Sequence, residues 1–173
     1  MFPAARFRFA PATLAALLLA GCFEAPPPEV KPVRPSYDRV AVIRAAGERE
    51  KSVIDVAPLR DPGVSAMQDV AQADERAGRY AQAAAMLDRA LRLAPDSPDL
   101  QQDRAEIAVR LHDYAAAERL ARQSWSLGPQ LGPLCARNWQ TVVEMRLQAG
   151  DEAGAVAARK GVQACHKEGV PRY

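Results

Sequence analysis

From residue 64 onward, apolar residues recur every three or four positions, the pattern of amphipathic helices with one buried face. Ala83, Met86, Leu87, Ala90 and Leu91 make one such stripe. Helix starts are marked too. Ser97 precedes Pro98, a cap followed by proline in the first turn, and Gly132-Pro133 is a second start of this kind. The spacing predicts an all-α region of six helices at about 64–77, 81–94, 98–111, 115–127, 133–148 and 152–165.

Upstream the pattern changes. Ala10 to Ala20 is an apolar run preceded by Arg6 and Arg8 and by no acid, the layout of an export signal. The run is about 11 residues, and a membrane-spanning helix needs about 20. Phe23 to Pro35 is rich in proline, which excludes a helix or a central strand and predicts a stiff, polyproline-like stretch of roughly 40 Å. From Tyr37 to Arg60 the pattern is weak. Arg39 to Ile43 fits a short strand or a helix start, while Ala45 to Ser52 tolerates a helix but contains Gly47. Disorder from Phe23 to about Arg60 is the expectation, its rival being that Val53-Ile54-Asp55-Val56 docks as an extended segment. The boundaries are thus 1–21 for the signal, 22–62 for the linker and 63–173 for the folded domain.

Within the folded domain the pattern repeats. Tyr80 and Tyr114 lie 34 residues apart, as do Pro95 and Pro129, Ala71 and Ala105, Ala83 and Ala117, and Leu93 and Leu127. One helix pair cannot bury its own apolar face, so about three stacked pairs make the smallest stable array. These residues at this period resemble the tetratricopeptide-repeat (TPR) family. The resemblance implies an α-solenoid of about three helix pairs, with repeats starting near Val64, Pro98 and Ala136. The family's bulky and small places in the first helices hold Met67 and Ala71, Gln101 and Ala105, and Trp139 and Val143. Its turn glycine is Gly78, His112 and Gly150. The second repeat departs at Gln101 and His112, and the third at Arg159 and Val162, as a capping repeat does. Four extra residues within 126–133 lengthen either a loop or a helix end.

Leu19-Ala20-Gly21-Cys22 resembles the lipobox of bacterial lipoproteins. That resemblance implies cleavage before Cys22 and lipidation of its sulfur and new N-terminus, with palmitate among the acyl chains. The alternative is an ordinary signal with a stray cysteine. Two or more acyl chains anchor a protein firmly, one only marginally. Phe23, rather than Asp, follows the cysteine, which in this class implies the outer membrane.

Composition narrows the chemistry. Lys+Arg total 23 against Asp+Glu 21. Without Arg6 and Arg8 the charges balance, leaving no excess to neutralise the phosphates of a nucleic acid. Aromatic residues are 6% in a chain that is 49% hydrophobic, which favours close-packed small-residue helices. No nucleophile elbow, phosphate loop or zinc-protease motif is present in the sequence, so neither an enzyme nor a cofactor nor a small-molecule substrate is expected. His112 reads as a turn residue, and Asp74-Glu75 and Asp151-Glu152 as solvated helix ends. Cys135 and Cys165 are equidistant from Gly150, so an antiparallel hairpin sets them opposite one another, and an exported chain meets an oxidising compartment. A disulfide is expected, worth roughly 3–4 kcal/mol for a loop of about 30 residues. A metal site with His166 lacks a fourth ligand, and two free thiols are the other alternative.

What remains is binding. Stacked first helices line a concave groove, here with Gln68, Gln72, Glu75, Gln102, Glu106, Arg110, Gln140 and Glu144. Such a groove suits an extended peptide or a partner's loop, unless these are merely solvated faces. Arg137, Asn138 and Trp139 form a second candidate contact. Trp139 stands at a core place and Trp125 aligns with Leu91, so packing outweighs an aromatic ligand platform. Lipobox, proline-rich tether and a short TPR domain with Cys-Ala-Arg-Asn-Trp before its last helix pair together resemble the TPR-type lipoproteins that activate class A penicillin-binding proteins (LpoP-like). The resemblance implies a periplasmic domain anchored in the outer membrane and a protein partner, an inner-membrane peptidoglycan synthase. A tether of about 38 residues reaches at most roughly 125 Å. A pilotin-like or other assembly scaffold is the alternative, and a peptidoglycan binder or envelope enzyme is disfavoured.

Overall fold

The computed structural model describes residues 37–51 and 59–168, all within the unit Ser36–Tyr173. The export signal, Cys22, the proline-rich stretch and Val53-Ile54-Asp55-Val56 lie outside the described residues. Those described form helices α1 (Arg39–Arg49), α2 (Pro62–Arg76), α3 (Tyr80–Leu93), α4 (Pro98–Arg110), α5 (Tyr114–Leu127), α6 (Gly132–Gln148) and α7 (Glu152–Ala164), and no strand. None of these helices is long and apolar enough to cross a membrane. The pairs α2–α3, α4–α5 and α6–α7 stack in order, and their ends fall within two residues of the six helices predicted from the sequence.

Local chemistry sets the joints. Asp61, Asp113 and Asp151 accept backbone N–H groups of Gly63, Ala116 and Gly154 at the starts of α2, α5 and α7. The turn within each pair needs one left-handed residue. Gly78 and Gly150 supply it at φ 73°, and His112 adopts φ 62° in the equivalent place, a conformation that costs a residue bearing a Cβ about 1–2 kcal/mol. Between helices, alanine allows close approach: Ala71, Ala83 and Ala90 pack with Val64, Leu87 and Leu100 in one cluster, and Ala105 with Leu120 and Ala121 in another.

The four extra residues before the third repeat are helical. α6 has 17 residues where α4 has 13, and the added turn at its start carries Cys135. Cys135 is disulfide-bonded to Cys165, with Cα atoms 5.6 Å apart, and the Gly132 N–H donates to the Cys165 carbonyl at 2.9 Å. The last pair is therefore tied at its open end.

The expectation of disorder through about Arg60 is corrected at its centre. Arg39–Arg49 is a helix folded onto α4 and α6. Val40 and Ile43 are completely buried, in one cluster with Ala108, Val109, Ala117 and Met145. Asp38 caps the helix by accepting the Ala41 N–H. Gly47, which weakens the helix in isolation, is what lets α1 approach α6. A Cβ there would lie 2.8 Å from Arg137 Cγ and 3.0 Å from the Pro133 carbonyl oxygen.

Candidate functional site

α2, α4 and α6, the first helices of the three pairs, present the polar residues that the sequence assigned to a groove. α1 lies over this face, and its Arg44 enters it. The Arg44 guanidinium reaches Glu75 of α2 at 2.7 Å and Glu106 of α4 at 2.7 Å. From the other side Arg137 of α6 meets Glu106 at 2.7 Å and Asp103 at 2.9 Å. Glu106 is fully buried, held between the two cations. Gln102, also fully buried, donates to Glu106 at 3.0 Å and to Thr141 at 2.9 Å. A buried charge persists only when paired and hydrogen-bonded, and this network supplies both.

The remaining groove residues are largely engaged as well. Gln68 donates to Asp103 at 2.7 Å and accepts from Arg60 at 2.6 Å; Arg60 also pairs with Asp99. Arg110 pairs with Asp38 at 2.8 Å. Gln140 donates to Glu144 at 2.9 Å, and Glu144 accepts the Tyr37 hydroxyl at 2.8 Å. Gln72 stays exposed. It borders the open part of the face, a cavity of about 620 Å³ floored by Ala71, Leu87 and Ile107 and edged by Arg76 and Glu48.

The electrostatics follow the contacts. Burial pulls the Arg137 guanidinium down, but Glu106 and Asp103 outweigh it and hold it above its ordinary range. Arg44 is raised in the same way by Glu106 and Glu75, against burial. Burial raises the Asp103 carboxyl, with Glu106 adding to that and Arg137 opposing it. Burial also lifts Asp38, yet the Ala41 N–H and Arg110 prevail, leaving it below its ordinary value.

A different flank of α6 faces α5 and α7. Trp139 and Trp125 meet edge to face, centroids 5.4 Å apart. Arg122 lies 5.7 Å from the Trp139 ring centre and pairs with Glu118 at 2.9 Å. Gly161 of α7 gives the Trp139 ring its room, since a Cβ there would come within 2.3 Å of the indole. Both tryptophans are half-buried, packed against the Cys135–Cys165 cluster. Beside them Asn138 is 1% exposed, and neither its Oδ1 nor its Nδ2 has a partner.

The structure thus separates the sequence-derived residues. Gln68, Glu75, Gln102, Glu106, Arg110 and Arg137 join one network; Asn138 and Trp139 belong to the other flank. α1 and its Arg44 were missed. The usable signal was Val40, Ile43 and Gly47 spaced three and four apart behind the Asp38 cap. Among the described residues no group of three or more His, Cys, Asp or Glu side chains is placed to hold a metal ion.

A tetratricopeptide-repeat family model matches residues 76–133. No curated protein matches the chain. Among solved structures, the globular C-terminal domain of P. aeruginosa LpoP matches at 34% identity with a TM-score of 0.56, over 61% of this chain and 99% of that one. With its period, its helix pairs and this coverage of an entire related domain, the chain belongs to the tetratricopeptide-repeat family and is an LpoP-like member of it.

Proposed function

We propose that this chain is a lipoprotein anchored in the outer membrane through Cys22, and that its periplasmic repeat domain binds and activates a class A penicillin-binding protein in peptidoglycan synthesis. The observation that carries this reading is the match to the whole LpoP domain at 34% identity. The chemistry of the face agrees with binding rather than catalysis. Glu75, Glu106 and Asp103 are held in ion pairs by Arg44, Arg110 and Arg137, where they serve the scaffold rather than a substrate.

α1 constrains how the partner docks. It takes the place that an extended peptide would occupy across α4 and α6, so the partner's loop enters the open section beside Gln72 and Arg76. It also shortens the tether. With Tyr37 held by the fold, the about 15 residues from Cys22 span at most about 50 Å, against the roughly 125 Å of a linker running to residue 60.

The test is capture and stimulation. The acylated full chain in detergent is mixed with the purified class A synthase of its own cell envelope, and glycan polymerisation is followed. Co-purification with a several-fold faster rate is expected, and Cys22→Ser should abolish membrane anchoring while leaving that stimulation intact. Neither capture nor stimulation in the purified mixture would overturn the reading.

A further inference from the structure

A cavity of about 240 Å³ lies where the starts of α1, α3 and α5 meet the end of α4, and Tyr37, Arg39, Tyr80, Arg110, His112 and Tyr114 line it. Two of these residues stand out. His112 holds the left-handed turn position that glycine holds in the other two pairs, so its side chain is kept at a cost in backbone strain. The imidazole is exposed, touches the Tyr114 ring at 5.9 Å between centroids, and has no hydrogen-bond or ion-pair partner among the described residues. Arg39 is half-buried and meets only uncharged groups. These are the Gln148 side-chain oxygen and the Tyr37 and Tyr114 rings, whose centroids lie 5.6 and 5.9 Å from its guanidinium carbon. The charges around it are already matched. Asp38 and Glu75 pair with Arg110 at 2.8 and 3.8 Å, and Asp113 caps α5 by accepting the Ala116 N–H.

We propose that this cavity receives a carboxylate side chain presented by a protein partner. It rests on the protein-binding reading above only for the nature of its occupant. A guanidinium half withdrawn from water with no counter-ion is short of one negative charge, and a carboxylate supplies it through a charge-assisted hydrogen bond. The same carboxylate accepts from the His112 imidazole and from the Tyr114 hydroxyl, which makes no other hydrogen bond among the described residues. His112 and Tyr37 are exposed, so a ligand reaches these groups from solvent. Competing groups fit less well. A carboxamide of the same shape leaves the charge of Arg39 unmatched, and an ammonium group adds to it. Asp38 is the one carboxylate lining the cavity, and Arg110 offsets it.

The ¹⁵N-labelled full chain is titrated with acetyl-Ala-Glu-Ala-N-methylamide, with its Gln counterpart and with inorganic phosphate. The glutamate peptide should shift the His112 and Tyr114 amide signals saturably and bind about fivefold tighter than the glutamine peptide, with phosphate binding no tighter than the glutamate peptide. Arg39→Gln should erase the preference. His112→Gly relieves the strained turn, so it should unfold at a temperature no lower than the unaltered chain and still bind the glutamate peptide more weakly. Equal binding of the two peptides, no response to either, tighter binding of phosphate, a preference retained in Arg39→Gln, or unchanged affinity in His112→Gly overturns the proposal. Should Arg39→Gln fail to fold, the peptide comparison on the unaltered chain and on His112→Gly decides. Loss of synthase capture with the glutamate preference intact would remove the proposed function and leave this site standing; loss of the preference with capture intact would remove this site alone.

Discussion

On one flank of α6, Arg137 is half-buried and its charge is matched by Asp103 and Glu106. On the other, Asn138 is more deeply buried, and neither its Oδ1 nor its Nδ2 has a partner. The two residues are neighbours in sequence, about 100° apart around the helix. The difference lies in what covers them. α1 and α4 bring Arg44, Glu106 and Asp103 to the first flank. α5 brings the Trp125 indole and Ala121 to the second, and α7 brings Gly161 against α6's own Trp139. Burial alone therefore does not mark a binding residue, because a buried polar group that is fully paired is part of the scaffold. The polar face that reads as a groove in the sequence is mostly scaffold, already occupied by the chain's own helix.

The sharpest way to break the comparison is Glu106→Ala. It leaves two guanidinium groups facing one another without their shared carboxylate, and a loss of about 3–5 kcal/mol is expected in denaturant unfolding. Ile43→Ala acts on the same flank through packing. It should cost about 3 kcal/mol and release α1 selectively, seen as fast hydrogen exchange at 39–49 while α4 stays protected. On the Trp flank, Gly161→Ala drives a methyl group into the Trp139 indole. A loss of about 1–3 kcal/mol is expected, with a shifted tryptophan fluorescence maximum and no change in α1 exchange.

The smallest expected effect is that of acid. Asp38 titrates below its ordinary value through the Ala41 N–H and Arg110. Its contribution is present above the unfolded carboxyl value of about 3.9 and is lost as pH falls through the folded one. Asp103, raised by burial and Glu106, works the other way: its contribution is complete below about 3.9 and is lost as pH rises through its folded value. Lowering the pH from 6 to 3 should therefore loosen the Asp38 end of α1 first, measured from its amide shifts, and Asp38→Asn should remove most of that response. Identical titration of 39–49 in both proteins counts against the cap and Arg110 as the cause.

The repeat region was legible because its determinants are local and periodic. The 34-residue steps from Ala83 to Ala117 and from Tyr80 to Tyr114 fix helix length, turn and stacking face at once. Proline and aspartate near the helix starts, with Gly78 and Gly150 at the turns, fix where each helix begins and ends. α1 was not legible in this way. Eleven residues containing a glycine make a marginal helix alone, and α1 is held by Ala108, Val109 and Met145, which lie 65 or more positions further along.

The sequence by itself determined that paired helices stack at a fixed step, since each turn of that pattern is encoded within a few residues of where it acts. Only the tertiary structure decided that the polar face is closed by α1 and that Asn138 is left unpaired. Both outcomes depend on which distant side chain arrives at a given face, and no local spacing carries that information.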